Sequence, residues 1–486
     1  MSAKKNFIYN VIYQILLLLL PLITTPYIAR VIGPEGVGIQ SYTSSIANYF
    51  LIFAMLGINN HGSRSIAMVR GKKEELSKTF LSIYSLQFIT SVITIICYLI
   101  YTVFIAREYK IFFWIQMIYV VSAALDINWF FFGLEQFKLT VIRNTVIKLI
   151  SVCSIFMFVK EYDDLYVYSL IIAGSSLISQ AILWKFVKKY IKVTKISFVN
   201  IKNQIKPTLI LFIPVIAISI YKTMDKIMIG SMSNVAQVGF FENSEKIINI
   251  PLGIITALGT IMLPRISNLQ QNGNYDEIKK YISVSMEFAM IIAFGAMFGI
   301  LGVAPSFIPI FLGDNFSECI SIVSFLSITL VFIAWANVIR TQFLIPRKFD
   351  KIYVISTIIG AVINFVSNLI LISKYGALGA TLGTILAEAS VAIYQTIMVR
   401  KYLDVINYFK KSIIYLIPSI IMFLSIRYMK SLFVKPILVA IIQVLIGGAI
   451  YCISVIVYMH MTKNYLLVSL LNNFKSIKFH NKSEVN

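Results

Sequence analysis

Apolar runs, each about as long as a bilayer crossing, follow one another from Phe7 to Met459 with few long gaps. A transmembrane helix needs roughly 20 apolar residues. The runs predict fourteen: 7–29, 37–58, 79–104, 111–132, 139–159, 165–184, 207–230, 237–263, 283–305, 317–339, 352–372, 377–399, 412–428 and 436–459. Lys4 and Lys5 precede the first run, as in a signal peptide. That run is too long for a signal core, however, and ends in Pro26, Tyr27 and Arg30 rather than a small-residue cleavage site, so it reads as a span.

Composition agrees. Hydrophobic residues make up 58% of the 486 and charged ones 13%, about half the charge of a soluble domain. The expected fold class is an all-α membrane protein with no room for a separate soluble domain. A net charge of +22 would suggest nucleic acid in a soluble chain. Here the Lys and Arg read as topology signals and contacts to anionic membrane lipids, and no nucleic-acid partner is implied. Cys97, Cys153, Cys319 and Cys452 all fall in apolar runs without metal-like spacing and imply no disulfide framework.

Most of the basic residues fall on the side of the N-terminus, Arg143 being counted there with the loop before the fifth span. The opposite side holds Arg30, Arg107, Lys110, Lys160, Lys374, Arg427, Lys430 and Lys435, and Lys148, Lys222, Lys226 and Lys246 lie inside spans. By the positive-inside rule both termini are cytoplasmic.

The longest inner loop, 185–206, carries seven lysines and no acid. It divides the chain into a six-helix lobe at 1–184 and a second at 207–400, followed by two added helices at 401–463 and a cytoplasmic tail at 464–486. The halves share features: Gly38 and Gly239 align in short outer turns, and LIIAGSSLISQAILW (170–184) matches TLGTILAEASVAIY (381–394) in small residues and one polar position, Gln180 or Glu388. Two repeats facing a central cavity is a transporter plan.

An ionisable group inside a bilayer is costly and normally faces a wet cavity or a partner. Lys222, Asp225 and Lys226 share one face of the seventh helix at i, i+3 and i+4, and Glu242, Glu245 and Lys246 repeat the spacing on the eighth. Either the two triplets neutralise each other, or with Arg30 they make a cationic outer vestibule. Asp126 and Lys148 lie at comparable depths on neighbouring helices and suit a pair. Glu388, near the middle of the twelfth span, is a candidate proton or sodium site, or a buried protonated acid; Glu287 lies too near a helix end to carry weight. No cofactor is implied beyond such H+ or Na+ coupling.

The segment RVIGPEGVGIQSYTSSIANYFLIFAMLGINNHGSRSIA (30–67), with DKIMIGSMSNVAQVGFFENSEKI (225–247) and LPRIS (263–267), resembles the polysaccharide flippase family of Wzx type. That family belongs to the superfamily that also holds multidrug extruders and the lipid II flippase. Ser65 departs from its pattern, which often has an acid after the Arg. The resemblance covers nearly the whole chain. It implies a MATE-like fold of fourteen spans in a bacterial plasma membrane, moving an oligosaccharide on undecaprenyl pyrophosphate outward by alternating access of two lobes, for capsule, exopolysaccharide or O-antigen-like assembly. A downstream polysaccharide polymerase is an expected partner.

On that reading Arg30, Lys222, Lys226 and Lys246 are the pyrophosphate ligands, since clustered Lys and Arg bind phosphate by charge-assisted hydrogen bonds. Gln14, Gln40, Asn48, Asn337, Asn364 and Asn368 are sugar-facing candidates, though a polar residue in a bundle commonly bridges helices instead. Asp126, Lys148, Asp225, Glu242, Glu245 and Glu388 form the coupling or cavity network. Each sugar hydroxyl moved unpaired into hydrocarbon costs several kcal/mol, which a wet polar groove removes. With the cytoplasm negative, two negative charges moved outward gain roughly 5 kcal/mol per 100 mV.

Other readings fit less well. GPEGVG (33–38) lacks the strand and soluble helix of a phosphate loop, and close helix packing is its expected role. A multidrug extruder wants an acid-rich cavity. A membrane enzyme wants catalytic groups on a large loop, yet the longest outer loop, near 306–316, has the single acid Asp314, and Asp163–Asp164 lies on the wrong face for nucleotide sugars. A teichoic-acid precursor flippase is not separable from the first reading.

Overall fold

The computed structural model describes residues 3–192, 194–429, 436–462 and 464, with the backbone alone for 3–18, 214, 217, 218, 220–222 and 436. Among these, every regular element is helical. In chain order they are α1 (Ala3–Met55), α2 (Ile58–Val69), α3 (Lys73–Ile100), α4 (Lys110–Leu125), α5 (Asn128–Gly133), α6 (Phe137–Phe158), α7 (Leu165–Val187) and α8 (Phe198–Met232). There follow α9 (Val235–Gln271), α10 (Tyr275–Leu312), α11 (Cys319–Leu326), α12 (Thr329–Ile339), α13 (Asp350–Val399), α14 (Val405–Ile413), α15 (Leu416–Met429) and α16 (Pro436–Met461). Eleven helical stretches among the described residues are long and apolar enough to cross a membrane. Their outer faces carry exposed Ile93, Ile96, Phe104, Ile150, Ile370 and Leu445, a density of bare apolar surface that lipid contact explains. The chain is a multi-pass membrane protein.

Glycine places the breaks in the two longest helices. Gly33 (φ 66°), followed by Pro34, divides α1, and Gly376 (φ 55°) divides α13; a side chain is strained at such positive φ. The breaks fall where the sequence separates spans 7–29 from 37–58 and 352–372 from 377–399.

Elsewhere the elements depart from the sequence expectation. The span expected at 111–132 is interrupted at Asp126, whose ψ of 102° ends α4 before α5 begins. The span at 317–339 is two helices, α11 and α12, continued by a π-helical turn at Arg340–Leu344. The outer loop expected at 306–316 shrinks to the turn Asp314–Phe316, because α10 runs through Pro305 and Pro309 to Leu312.

The chain forms two compact units, one of Met1–Asn243 with Asn368–Ala380, the other of Ser244–Ser367 with Thr381–Asn486. In the first, Ile58, Ile66, Phe80, Trp129, Phe130 and Leu183 are buried together. Trp129 Nε1 donates to Gln87 Oε1 at 2.9 Å, which pairs the one polar atom of the indole inside that core. In the second, α10 packs against α12, α15 and α16, with Ala289, Ala293, Ile322, Leu330 and Met422 buried.

Within the first unit the two glycine turns meet. A Cβ on Gly38 would stand 1.7 Å from the carbonyl oxygen of Val235, and one on Gly239 would stand 2.0 Å from that of Pro34. Only the absence of a side chain allows helices to approach so closely. This is the packing role expected for GPEGVG.

Candidate functional site

In the first unit Asp225 and Lys226 of α8 and Glu242 of α9 have specific partners. Lys226 Nζ lies 2.6 Å from Glu242 Oε2, with both side chains less than a fifth exposed. The same carboxylate oxygen accepts from Ser41 Oγ at 2.9 Å, so α1, α8 and α9 share one polar knot. Immediately before Lys226 in sequence, buried Asp225 accepts from Asn368 Nδ2 of α13 at 2.5 Å. Beside the break at Gly376, Gln237 Oε1 accepts from the backbone N–H of Ala377 at 2.9 Å. Of the two alternatives the sequence left open for the triplets, Lys226 and Glu242 take pairing. Arg30 is exposed near the end of the first helical segment of α1. Lys222 and Gln14 lie outside the residues whose side chains are described.

A second network forms at the break between α4 and α5. An extended residue leaves the backbone there with unpaired groups, and polar side chains converge on it. Asp126 Oδ1 accepts from the backbone N–H of Asn128 at 2.9 Å and from its Nδ2 at 2.7 Å. Gln87 Nε2 donates to the carbonyls of Ala123 and Asp126, both at 2.8 Å. Asn128 reaches on to Gln180 Oε1 at 3.0 Å, and its own Oδ1 accepts from Arg143 Nη2 at 2.8 Å.

The expected pairing of Asp126 with Lys148 is therefore corrected. Arg143, buried in α6, is the cation whose charge reaches Asp126, while Lys148 is exposed. Counting Arg143 with an inner loop had hidden it: α6 starts at Phe137, which carries Arg143 more than a turn into the helix.

The amide candidates divide. Gln40 is buried, and its Oε1 accepts from Ser169 Oγ at 2.6 Å and Gln116 Nε2 at 3.3 Å. It ties α1 to α4 and α7 as a bridge between helices. Asn48 Oδ1 accepts from Tyr119 O–H at 3.4 Å and is half-buried.

In the second unit Asn364 is buried, and Glu245, Lys246 and Glu388 are half-buried. Asn337 is buried with neither side-chain atom finding a partner among the described residues. Glu287, discounted from its place in the sequence, is buried and accepts from Tyr415 O–H and, at 2.5 Å, from Asn464 Nδ2. Among the described residues no three of His, Cys, Asp and Glu come together as metal ligands.

Residues 3–270 match the model of the polysaccharide biosynthesis protein family, and residues 149–446 match that of the lipid II flippase MurJ. Two curated relatives carry the description "Putative O-antigen transporter". The one from Escherichia coli (strain K12) is 26% identical over 262 residues, 53% of this chain and 63% of the relative, so the match spans less than two thirds of that protein. The one from Shigella dysenteriae is 23% identical over 397 residues, 80% of this chain and 98% of the relative.

Among solved structures, the inward closed conformation of the lipid II flippase MurJ superposes with a TM-score of 0.74 at 16% identity, covering 95% of this chain and 100% of that one. An inward-facing multidrug resistance MATE family transporter of the MOP superfamily gives 0.56 at 14% identity, over 80% of this chain and 99% of that one. This chain shares their fold.

Proposed function

The chain belongs to the polysaccharide biosynthesis protein family, and from that premise we propose that it is a flippase for a lipid-linked oligosaccharide. It carries a repeat unit on a polyprenyl pyrophosphate from the cytoplasmic to the outer leaflet of a bacterial plasma membrane, by alternating access of two lobes, residues 1–184 and 207–400. The observation that supports this reading best is the set of charged and amide side chains held within apolar helices, Lys226, Glu242, Asp225, Asn368 and Ser41 among them. A hydrophilic cargo needs such groups along its way, because its hydroxyls are costly to bring unpaired into hydrocarbon.

Arg30, Lys222 and Lys246 are the proposed pyrophosphate ligands. Lys226, paired with Glu242, serves better as a positioning partner than as a free cation. Glu388 is the proposed proton or sodium site. A drug extruder would want unpaired acid in the cavity, and pairing with Lys226 takes Glu242 out of that role. The protein performs transport rather than covalent chemistry, and delivers its cargo to a polymerase outside.

The test is lipid extraction and mass spectrometry on cells lacking the protein while the sugar pathway runs. A polyprenyl-pyrophosphate oligosaccharide should accumulate, shielded from sugar-modifying reagents added outside. An intermediate that those reagents reach would place the block at polymerisation and sink the reading. Cells carrying Arg30→Ala, with normal protein levels, should accumulate the same species.

A further inference from the structure

We propose that the basic end of the second unit holds the headgroup of an anionic glycerophospholipid, in a cavity between α10, α14 and the end of α16. The cavity measures about 550 Å³, and Lys280, Ser283, Glu287, Lys411, Thr462 and Asn464 line it. On α10 the lining residues 280, 283, 284 and 287 recur at i, i+3, i+4 and i+7, so one face runs two turns inward from the helix start. Lys280 and Lys411 stand on different helices, as two donors gripping one phosphate would.

The setting is that of a membrane surface. On α14, Ile406, Phe409 and Ile413 are 67%, 55% and 41% exposed, while Tyr408 and Ser412 are buried. Lys410 and Lys411 fill its last turn. A short helix with a bare apolar face and lysines beside it lies in the interface, its apolar face among acyl chains and its lysines at phosphate level. Tyr408 O–H donates to the carbonyl of Lys279 at 3.4 Å, which fixes α14 across the first turns of α10. The excess of Lys and Arg at this end marks it as the cytoplasmic face, where anionic lipids attract basic pockets between helices.

The charge balance selects the ligand. The Glu287 carboxylate already accepts from Tyr415 O–H and Asn464 Nδ2, which holds it to the cavity floor. Among the described lining residues, two lysines against one carboxylate leave a single positive charge. That suits one phosphodiester and falls short of a pyrophosphate, so the site is distinct from the one proposed for cargo. Ser283 and Thr462 offer hydroxyl partners to a polar headgroup such as glycerol.

Native mass spectrometry of the purified full chain, titrated with phosphatidylglycerol, tests this. One lipid should be retained per chain, and the double change Lys280→Ala, Lys411→Ala should weaken it roughly thirtyfold. Arg400→Ala with Lys401→Ala, two exposed cations outside the cavity lining, should leave it unchanged. Unaltered affinity in the cavity variant overturns the proposal, as does equal retention of phosphatidylcholine. Displacement by soluble sn-glycerol 3-phosphate at matching affinity would also overturn it, assigning the cavity to a soluble phosphate. Should the double variant fail to fold, Lys411→Gln on exposed α14 is measured alone, with about a fivefold loss expected.

Discussion

Lys226 and Glu242 illustrate what a single residue can and cannot disclose. Their spacing on neighbouring helices, each within a charged triplet, was legible in the sequence, and so was the option of pairing. The choice between pairing and facing a cavity depends on helix rotation, which the sequence leaves free. With both side chains largely shielded from water, removing one partner strands the other's charge. Lys226→Ala or Glu242→Gln alone should each cost about 2 kcal/mol, while the double change to alanine should cost less than the two singles together. Thermal unfolding in detergent reads this; additive losses would mean the two charges do not support each other. Arg143 was hidden for a different reason. Its expected place was the loop before the fifth span, whereas α6 begins at Phe137 and carries it more than a turn into the helix, where its hydrogen-bond partners are Asn128 and Asn144.

Helices show where periodicity suffices and where it fails. The apolar runs located the long helices, yet they did not mark the interruption at Asp126, which apolar residues flank on both sides. The expected span at 317–339 stopped short of the polar residues that form the π-helical turn at Arg340–Leu344. The contact of Gly38 with the carbonyl of Val235 predicts that Gly38→Ala prises α1 from α9, at a cost of about 3 kcal/mol. Retained expression and thermal stability in that variant would refute it.

At the start of α3, Lys78 lies 2.9 Å from Glu74, and its hydrogen bond holds the Glu74 carboxyl below the ordinary value of 4.5. A depressed folded value stabilises above the unfolded one and loses that support as pH falls through it. Amide exchange in the first turn of α3 should therefore quicken as pH drops below about 4.5, relative to a Lys78→Met variant. Equal exchange in the two would show the pair contributes nothing.

For the whole molecule, the fold class and the family were legible because both rest on features spread along the chain: repeated apolar runs, and motifs at residues 30–67 and 225–267. The candidate site was less so, since an amide such as Gln40 finds its partners far away in sequence, Ser169 among them at more than a hundred residues' separation. Orientation rests on the asymmetry of basic residues. In a background without native cysteines, a cysteine at position 190 should react with impermeant reagent only from the cytoplasm, and one at position 234 only from outside. The reverse pattern would invert the topology and with it the placement of the lipid cavity.

The meeting of Gly38 and Gly239 has a consequence for genetics. What faces each glycine is main chain, the carbonyls of Val235 and Pro34, which no substitution removes. At Gly230 the neighbour is instead the ring of Tyr42, which a smaller residue would clear. A lesion at Gly230 should thus yield revertants at position 42. One at Gly38 or Gly239 should return almost solely to glycine, because no second change can make room where the obstacle is the backbone itself.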